Sequence, residues 1–223
     1  QGRHGNIVKK LLENGAESNV SENDGATAVC IAAEEGYNEI LKILLDSWAE
    51  ADIPHLDGTT TLYRAEKAGQ YETVELLIKN GTHINVFFKG ATLLYAATIG
   101  GKIEIVKTLL KLNANPNIST NEGTTSLIMA CQNGNLEIVE ELLRHNADVN
   151  KTGQKNMGPL FEAAYDGHSK IVELLLKNNA TIDLKENGEG KTPLFIACMN
   201  GHLETDRVLV ANGANVNESA YNG

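Results

Sequence analysis

The chain has 223 residues, 42% of them hydrophobic but only 5% aromatic, so it can bury a large core of Leu, Ile, Val and Ala, and it is neither disordered nor collagenous. Nineteen basic against 29 acidic residues leave a net charge of −10, which disfavours binding to a phosphate backbone, since affinity there needs a basic surface; nucleic acid is not an expected partner. No stretch approaches the roughly 18 apolar residues of a membrane span, and the opening Gln1-Gly2-Arg3-His4 has no signal-peptide core, so we expect an intracellular protein, cytoplasmic or nuclear, with no membrane insertion.

The charge is uneven. Residues 1–75 hold 14 acids and 6 bases, net −8, whereas residues 76–223 hold 15 and 13, net −2. A partner with a basic segment would be drawn to the N-terminal third. Cys30, Cys131 and Cys198 are odd in number, widely spaced and outside any CxxC or Cys/His cluster, which argues against a disulfide framework or a zinc site.

The first predicted element is the aliphatic run Ile7-Val8-Lys9-Lys10-Leu11-Leu12, closed by Gly15-Ala16. It matches only the back half of a pattern that then occurs six times, so residues 1–22 read as a partial repeat. The full pattern is Gly-x-Thr, Ala five residues past the Thr, Gly nine past it, and then an aliphatic run. It reads Gly25-Ala26-Thr27, Gly58-Thr59-Thr60, Gly90-Ala91-Thr92, Gly123-Thr124-Thr125, the degenerate Asn156-Met157-Gly158, and Gly190-Lys191-Thr192. The third positions are separated by 33, 32, 33, 33 and 34 residues, a drift that a loop can absorb. The repeats run over about 23–55, 56–87, 88–120, 121–153, 154–187 and 188–220, making 1–223 one repeat domain that we expect to be part of a longer protein.

Within each unit two helices are predicted. Thr can cap the first, and Pro193 at a first helical position gives up an N–H that would be unpaired anyway. The Gly nine past the Thr breaks this helix, and a second follows with apolar positions such as Ile138, Val139, Leu142 and Leu143. It stops at Gly15, Gly81, Asn113, Asn146, Asn179 or Gly213, residues that tolerate the left-handed conformation of a helix stop. At the same step the repeat at 23–55 has Trp48, which would cost roughly 1–2 kcal/mol there. The 47–56 loop is therefore expected to be irregular.

These residues resemble the ankyrin repeat, whose pattern is Gly-x-Thr-Pro-Leu-His-x-Ala-Ala, then Gly-His and a Leu-rich helix. The resemblance implies an all-α solenoid of helix-turn-helix units with projecting β-hairpin loops, and a protein or peptide bound on the concave face. The family His is absent from its tetrapeptide position, which holds Cys30, Tyr63, Tyr95, Ile128, Phe161 or Phe195. Apolar packing is expected to replace it.

Candidate chemistry is sparse. Gly188-Glu189-Gly190-Lys191-Thr192 evokes a phosphate-binding loop, but Lys185 stands where the first Gly belongs. The six His are dispersed, with His168 and His202 at the Gly-His step, and no Ser/His/Asp set or paired carboxylates stand out. Glu39, Glu72, Glu104, Glu137 and Glu204 recur near the start of the second helix, where its dipole favours them. Six Asn-x-Ser/Thr sequons fall where the repeat itself supplies Asn. No cofactor or metal is expected.

The ligand must then be read from the non-recurrent positions. On the hairpin tips and first-helix ends these are Leu56, Phe87, Phe88, Ile99, Met157, Tyr165 and Met199, and exposed clusters of such residues mark interaction surfaces. We expect a non-catalytic scaffold that binds a protein or peptide; the alternative is a targeting or regulatory segment of a larger enzyme, channel or effector. Asn85, Asn150 and Asn217, each eight residues past a Leu, also resemble hairpin targets of an asparagine hydroxylase.

Overall fold

The computed structural model describes residues 2–218, with side chains from His4 onward. About half of the chain is helical, and among the described residues strand is confined to two segments of two residues. The chain divides into two compact units. The first, residues 1–89 with 111–113, holds α1 (Gly2–Glu13), α2 (Ala28–Glu34), α3 (Asn38–Asp46), α4 (Thr61–Lys67), α5 (Tyr71–Lys79) and β1 (Phe87–Phe88). The second, residues 90–110 with 114–223, holds β2 (Ala91–Thr92), α6 (Leu93–Ile99), all but the last residue of α7 (Ile103–Lys111), α8 (Ser126–Gln132) and α9 (Leu136–Arg144). A short 3-10 turn at Gln154–Asn156 follows, and then α10 (Pro159–Tyr165), α11 (Ser169–Lys177), α12 (Pro193–Asn200) and α13 (Leu203–Ala211). The fold is all-α, a solenoid of paired helices.

From α2 to α13 the helices are only 7 to 9 residues long, too short to persist alone in water, where about 12–15 residues are needed. Packing supplies the stability. In the first unit α2 packs on α3 and α4; in the second, α8 packs on α6, α9 and α10, and α10 on α11 and α12. The second helices bury Leu41, Leu77, Leu109, Leu142, Leu175 and Leu209 completely or nearly so. The first helices bury the recurrent Ala65, Ala97, Ala130, Ala163 and Ala197, whose small side chains admit close helix approach.

The predicted caps form. Thr27, Thr60, Thr92, Thr125 and Thr192 each accept the backbone N–H three residues on, at 3.2–3.3 Å, each stabilising its helix by about 1 kcal/mol. The degenerate unit has Gly158 at this position with no side-chain cap and starts instead on Pro159. Its Asn156 takes φ 62, the left-handed turn that Gly makes in the other units. The helix stops are left-handed as well, at Gly15, Gly81, Asn113, Asn146, Asn179 and Gly213, and also at Trp48 with φ 62. The 47–56 loop is irregular: a bend at Ala51 stands where the other units have a two-residue turn.

One expected pair is not made. The spacing of Glu140 and Arg144 predicts an i, i+4 ion pair, but Arg144 instead meets Glu141, one turn below it at i, i+3 and 2.6 Å away. Lys107 reaches Glu137 on the next repeat at 2.7 Å and so ties α7 to α9.

Candidate partner-binding surface

In the second unit Ile99, Gln132, Tyr165 and Met199 occupy the same repeat position, two residues past the buried Ala97, Ala130, Ala163 and Ala197. Because α6, α8, α10 and α12 pack in succession, these four exposed residues form a row along the ends of the first helices. The helices hold the row rigidly. The carbonyl of Gln132 lies 3.2 Å from Nε2 of His168, and that of Tyr165 lies 2.9 Å from Nε2 of His202, so each helix end is tied to the next repeat. A Cβ on Gly134 or Gly167 would lie 2.6 Å from these same rings, which accounts for the Gly-His step. The polar tie between repeats, absent from the tetrapeptide, is made here. Beside Tyr165 the Glu162 carboxyl is pushed above its ordinary range by burial and by the Asp166 charge. Met157 is only half-exposed, on the hairpin before α10.

In the first unit Leu56 is 80% exposed, and Phe87 also faces solvent. The Leu56 backbone is nonetheless fixed, its N–H donating to the Asp24 carbonyl of the preceding hairpin at 3.1 Å. Phe88 is half-buried: its ring lies 4.5 Å from that of Tyr63, tilted by 48°, with Lys89 Nζ 5.2 Å from its centroid. It is therefore partly structural, and truncating it removes an aromatic pair worth about 0.5–1.5 kcal/mol. Tyr165, exposed and without a ring partner among the described residues, is the cleaner probe of binding.

The hairpin asparagines prove to be stacking devices. Asn19 Oδ1 accepts from Glu50 N–H at 2.9 Å, Asn117 from Asp148 at 2.7 Å and Asn150 from Thr181 at 2.8 Å. Asn117 and Asn150 also donate through Nδ2, the atom a glycan would occupy, to the carbonyls of Asn146 and Asn179. Asn85, Asn150 and Asn217 are exposed, each eight residues past a fully buried Leu at 77, 142 or 209.

Two polar clusters were not legible from sequence. In the loop that evokes a phosphate site, the Glu186 carboxylate accepts the backbone N–H groups of Gly188 and Glu189, both at 2.5 Å, and of Lys191 at 3.3 Å. Burial opposes its charge, but these donors prevail and hold the carboxyl below its ordinary range. An internal anion thus fills the cradle. The only sequence signal was an acid just ahead of two closely spaced glycines. The second cluster pairs Cys30 Sγ with His55 Nε2 at 2.6 Å, both buried. Burial pushes the thiol up, against the Thr61 hydroxyl and Arg64 charge, so the pair is built for packing and not for nucleophilic attack. Among the described residues no group of three or more His, Cys, Asp or Glu is placed to hold a metal ion, and no helix is long and apolar enough to cross a membrane.

No curated protein matches the chain. A family model described as ankyrin repeats (3 copies) matches it three times, over residues 1–88, 87–153 and 150–220. These matches together span almost the whole sequence, and they coincide with the capped helix pairs and left-handed stops described above. The chain belongs to the ankyrin-repeat family.

Proposed function

We propose that the chain is a non-catalytic scaffold that holds a protein or peptide on the hairpin tips and first-helix ends, the face that is concave in the family. Ankyrin repeats are in general protein–protein interaction modules. The observation that carries the finer reading is the row Ile99, Gln132, Tyr165 and Met199: four exposed side chains at one repeat position, on a scaffold that does not need them for stacking. Apolar and aromatic anchors on a rigid frame lose little entropy on binding. The acidity of the N-terminal third favours a partner with a basic segment there.

The test begins with affinity capture by the native protein and proceeds to calorimetry with the captured partner. Tyr165→Ala should weaken binding by roughly 1–4 kcal/mol. Lys170→Ala, an exposed residue on the second helix α11, should leave it within about 0.5 kcal/mol. Lys107→Ala is a poor control because that side chain bridges two repeats. Unchanged affinity in Tyr165→Ala, or a large loss in Lys170→Ala, would move the site off this face.

A further inference from the structure

Trp48 is the only tryptophan in the chain, and it is 91% exposed. It stands at the helix stop with φ 62, where the other units place Gly or Asn. A bulky residue in that conformation costs roughly 1–2 kcal/mol, and an exposed indole recovers none of it through burial. Its surroundings point to a ligand. Beside the indole opens a cleft of about 470 Å³ lined by Leu45, Trp48, Glu50, Asp52, Asn80 and Thr82. Thr82, in the cleft wall, is only 6% exposed, and its Oγ1 has no hydrogen-bond partner among the described residues, a buried polar atom that costs about 1–3 kcal/mol while unsatisfied.

The charge at this cleft is one-sided. Residues 46–52 contain Asp46, Glu50 and Asp52 and no base. Glu50 is positioned through its backbone, whose N–H donates to Asn19 Oδ1 at 2.9 Å, while its carboxylate forms no ion pair among the described residues. Asp52 Oδ2 lies 2.8 Å from His83 Nδ1, which leaves its second oxygen outside that contact. The adjacent Lys79 is engaged by Glu75.

We propose that this cleft is a second docking site, which takes an arginine side chain from an extended basic segment of a protein partner. The guanidinium lies over the Trp48 indole, an arrangement favoured by the ring's quadrupole and by arginine's weakly hydrated planar head. The Glu50 and Asp52 carboxylates receive its N–H groups. The Glu50 and Asp52 carboxylates at the cleft, with Asp46 close by in sequence, repel an anionic lipid surface, and the chain's own acidity disfavours a second copy. The inference rests on the reading of the chain as a protein-binding module, but it does not use the row at Tyr165.

Trp48 itself supplies the readout. Its fluorescence is followed as the intact chain is titrated with a blocked pentapeptide of alternating glycine and arginine, and with the same peptide carrying glutamate. The arginine peptide should give a saturable change that weakens as salt is raised, because part of the attraction is screened; the glutamate peptide should give none. Glu50→Gln should weaken binding roughly 3-fold or more. Trp48→Asn, followed by calorimetry, should weaken it roughly 5- to 30-fold with the helical circular dichroism intact. Tyr165→Ala should leave it within about 2-fold. The proposal is overturned by an unsaturable or charge-independent response, by undiminished affinity in Trp48→Asn, or by loss in Tyr165→Ala. Sedimentation that shows self-association abolished by Trp48→Asn would overturn it too, by assigning the cleft to a second copy.

Discussion

The side-chain oxygen of Asn150 accepts the backbone N–H of Thr181, 31 residues further on, at 2.8 Å, while its Nδ2 donates to the carbonyl of Asn179 at 3.1 Å. One side chain thus satisfies two backbone groups of the next repeat. Asn150→Ala should therefore destabilise the protein by about 1–2 kcal/mol in urea unfolding. Asn150→Asp, which keeps the acceptor and loses the donor, should cost less. Equal stability of wild type and Asn150→Ala would show that water replaces these bonds without penalty.

Trp48 at φ 62 and Asn146 at φ 62 occupy equivalent helix stops, but only Asn is well suited to the left-handed conformation. Trp48→Asn should raise stability by about 1 kcal/mol, visible as a higher urea midpoint. A lower midpoint would mean that the exposed indole makes a stabilising contact that outweighs the backbone strain.

Glu186 sets an acid limit. Its carboxyl is held below the ordinary value of 4.5 by backbone donors despite burial. A depressed folded-state pKa contributes stability that is fully present above the unfolded value and is lost as pH falls through the folded one. Glu186→Gln should cost about 1–3 kcal/mol at pH 7, and the gap to wild type should narrow as pH is lowered below about 4. A gap independent of pH would remove the charge from the explanation.

Of the three thiols, Cys30 and Cys131 are buried and Cys198 is exposed. Burial pushes Cys131 well above its ordinary range and raises Cys30. A disulfide reagent under native conditions should titrate one thiol, at Cys198, and reach the other two only on unfolding. Cys198→Ser should abolish the native reaction; fast labelling that persists in this variant would show that one of the buried sites opens readily.

Much of this architecture was legible in the sequence because each repeat's devices are local. Thr125 caps its own helix three residues away, and Asn113 or Gly81 stops a helix by its own φ preference, so spacing alone located both. The identity of Trp48 led to an irregular 47–56 loop, but Trp48 itself takes the ordinary stop at φ 62 and the departure lies three residues on, at Ala51. The bonds between repeats were not legible, because they join residues some 25 to 37 positions apart whose side chains meet only after the helices stack. His202 reaching the Tyr165 carbonyl, Lys107 reaching Glu137 and Cys30 meeting His55 are of this kind. Exposure was equally a tertiary matter: Phe88 and Tyr165 looked alike as unexplained aromatics, yet packing gave Phe88 the Tyr63 ring and left Tyr165 open to solvent. Sequence determined the unit, since helix, cap and stop are set by neighbours along the chain; only stacking decided which side chains hold the units together and which are left exposed to solvent.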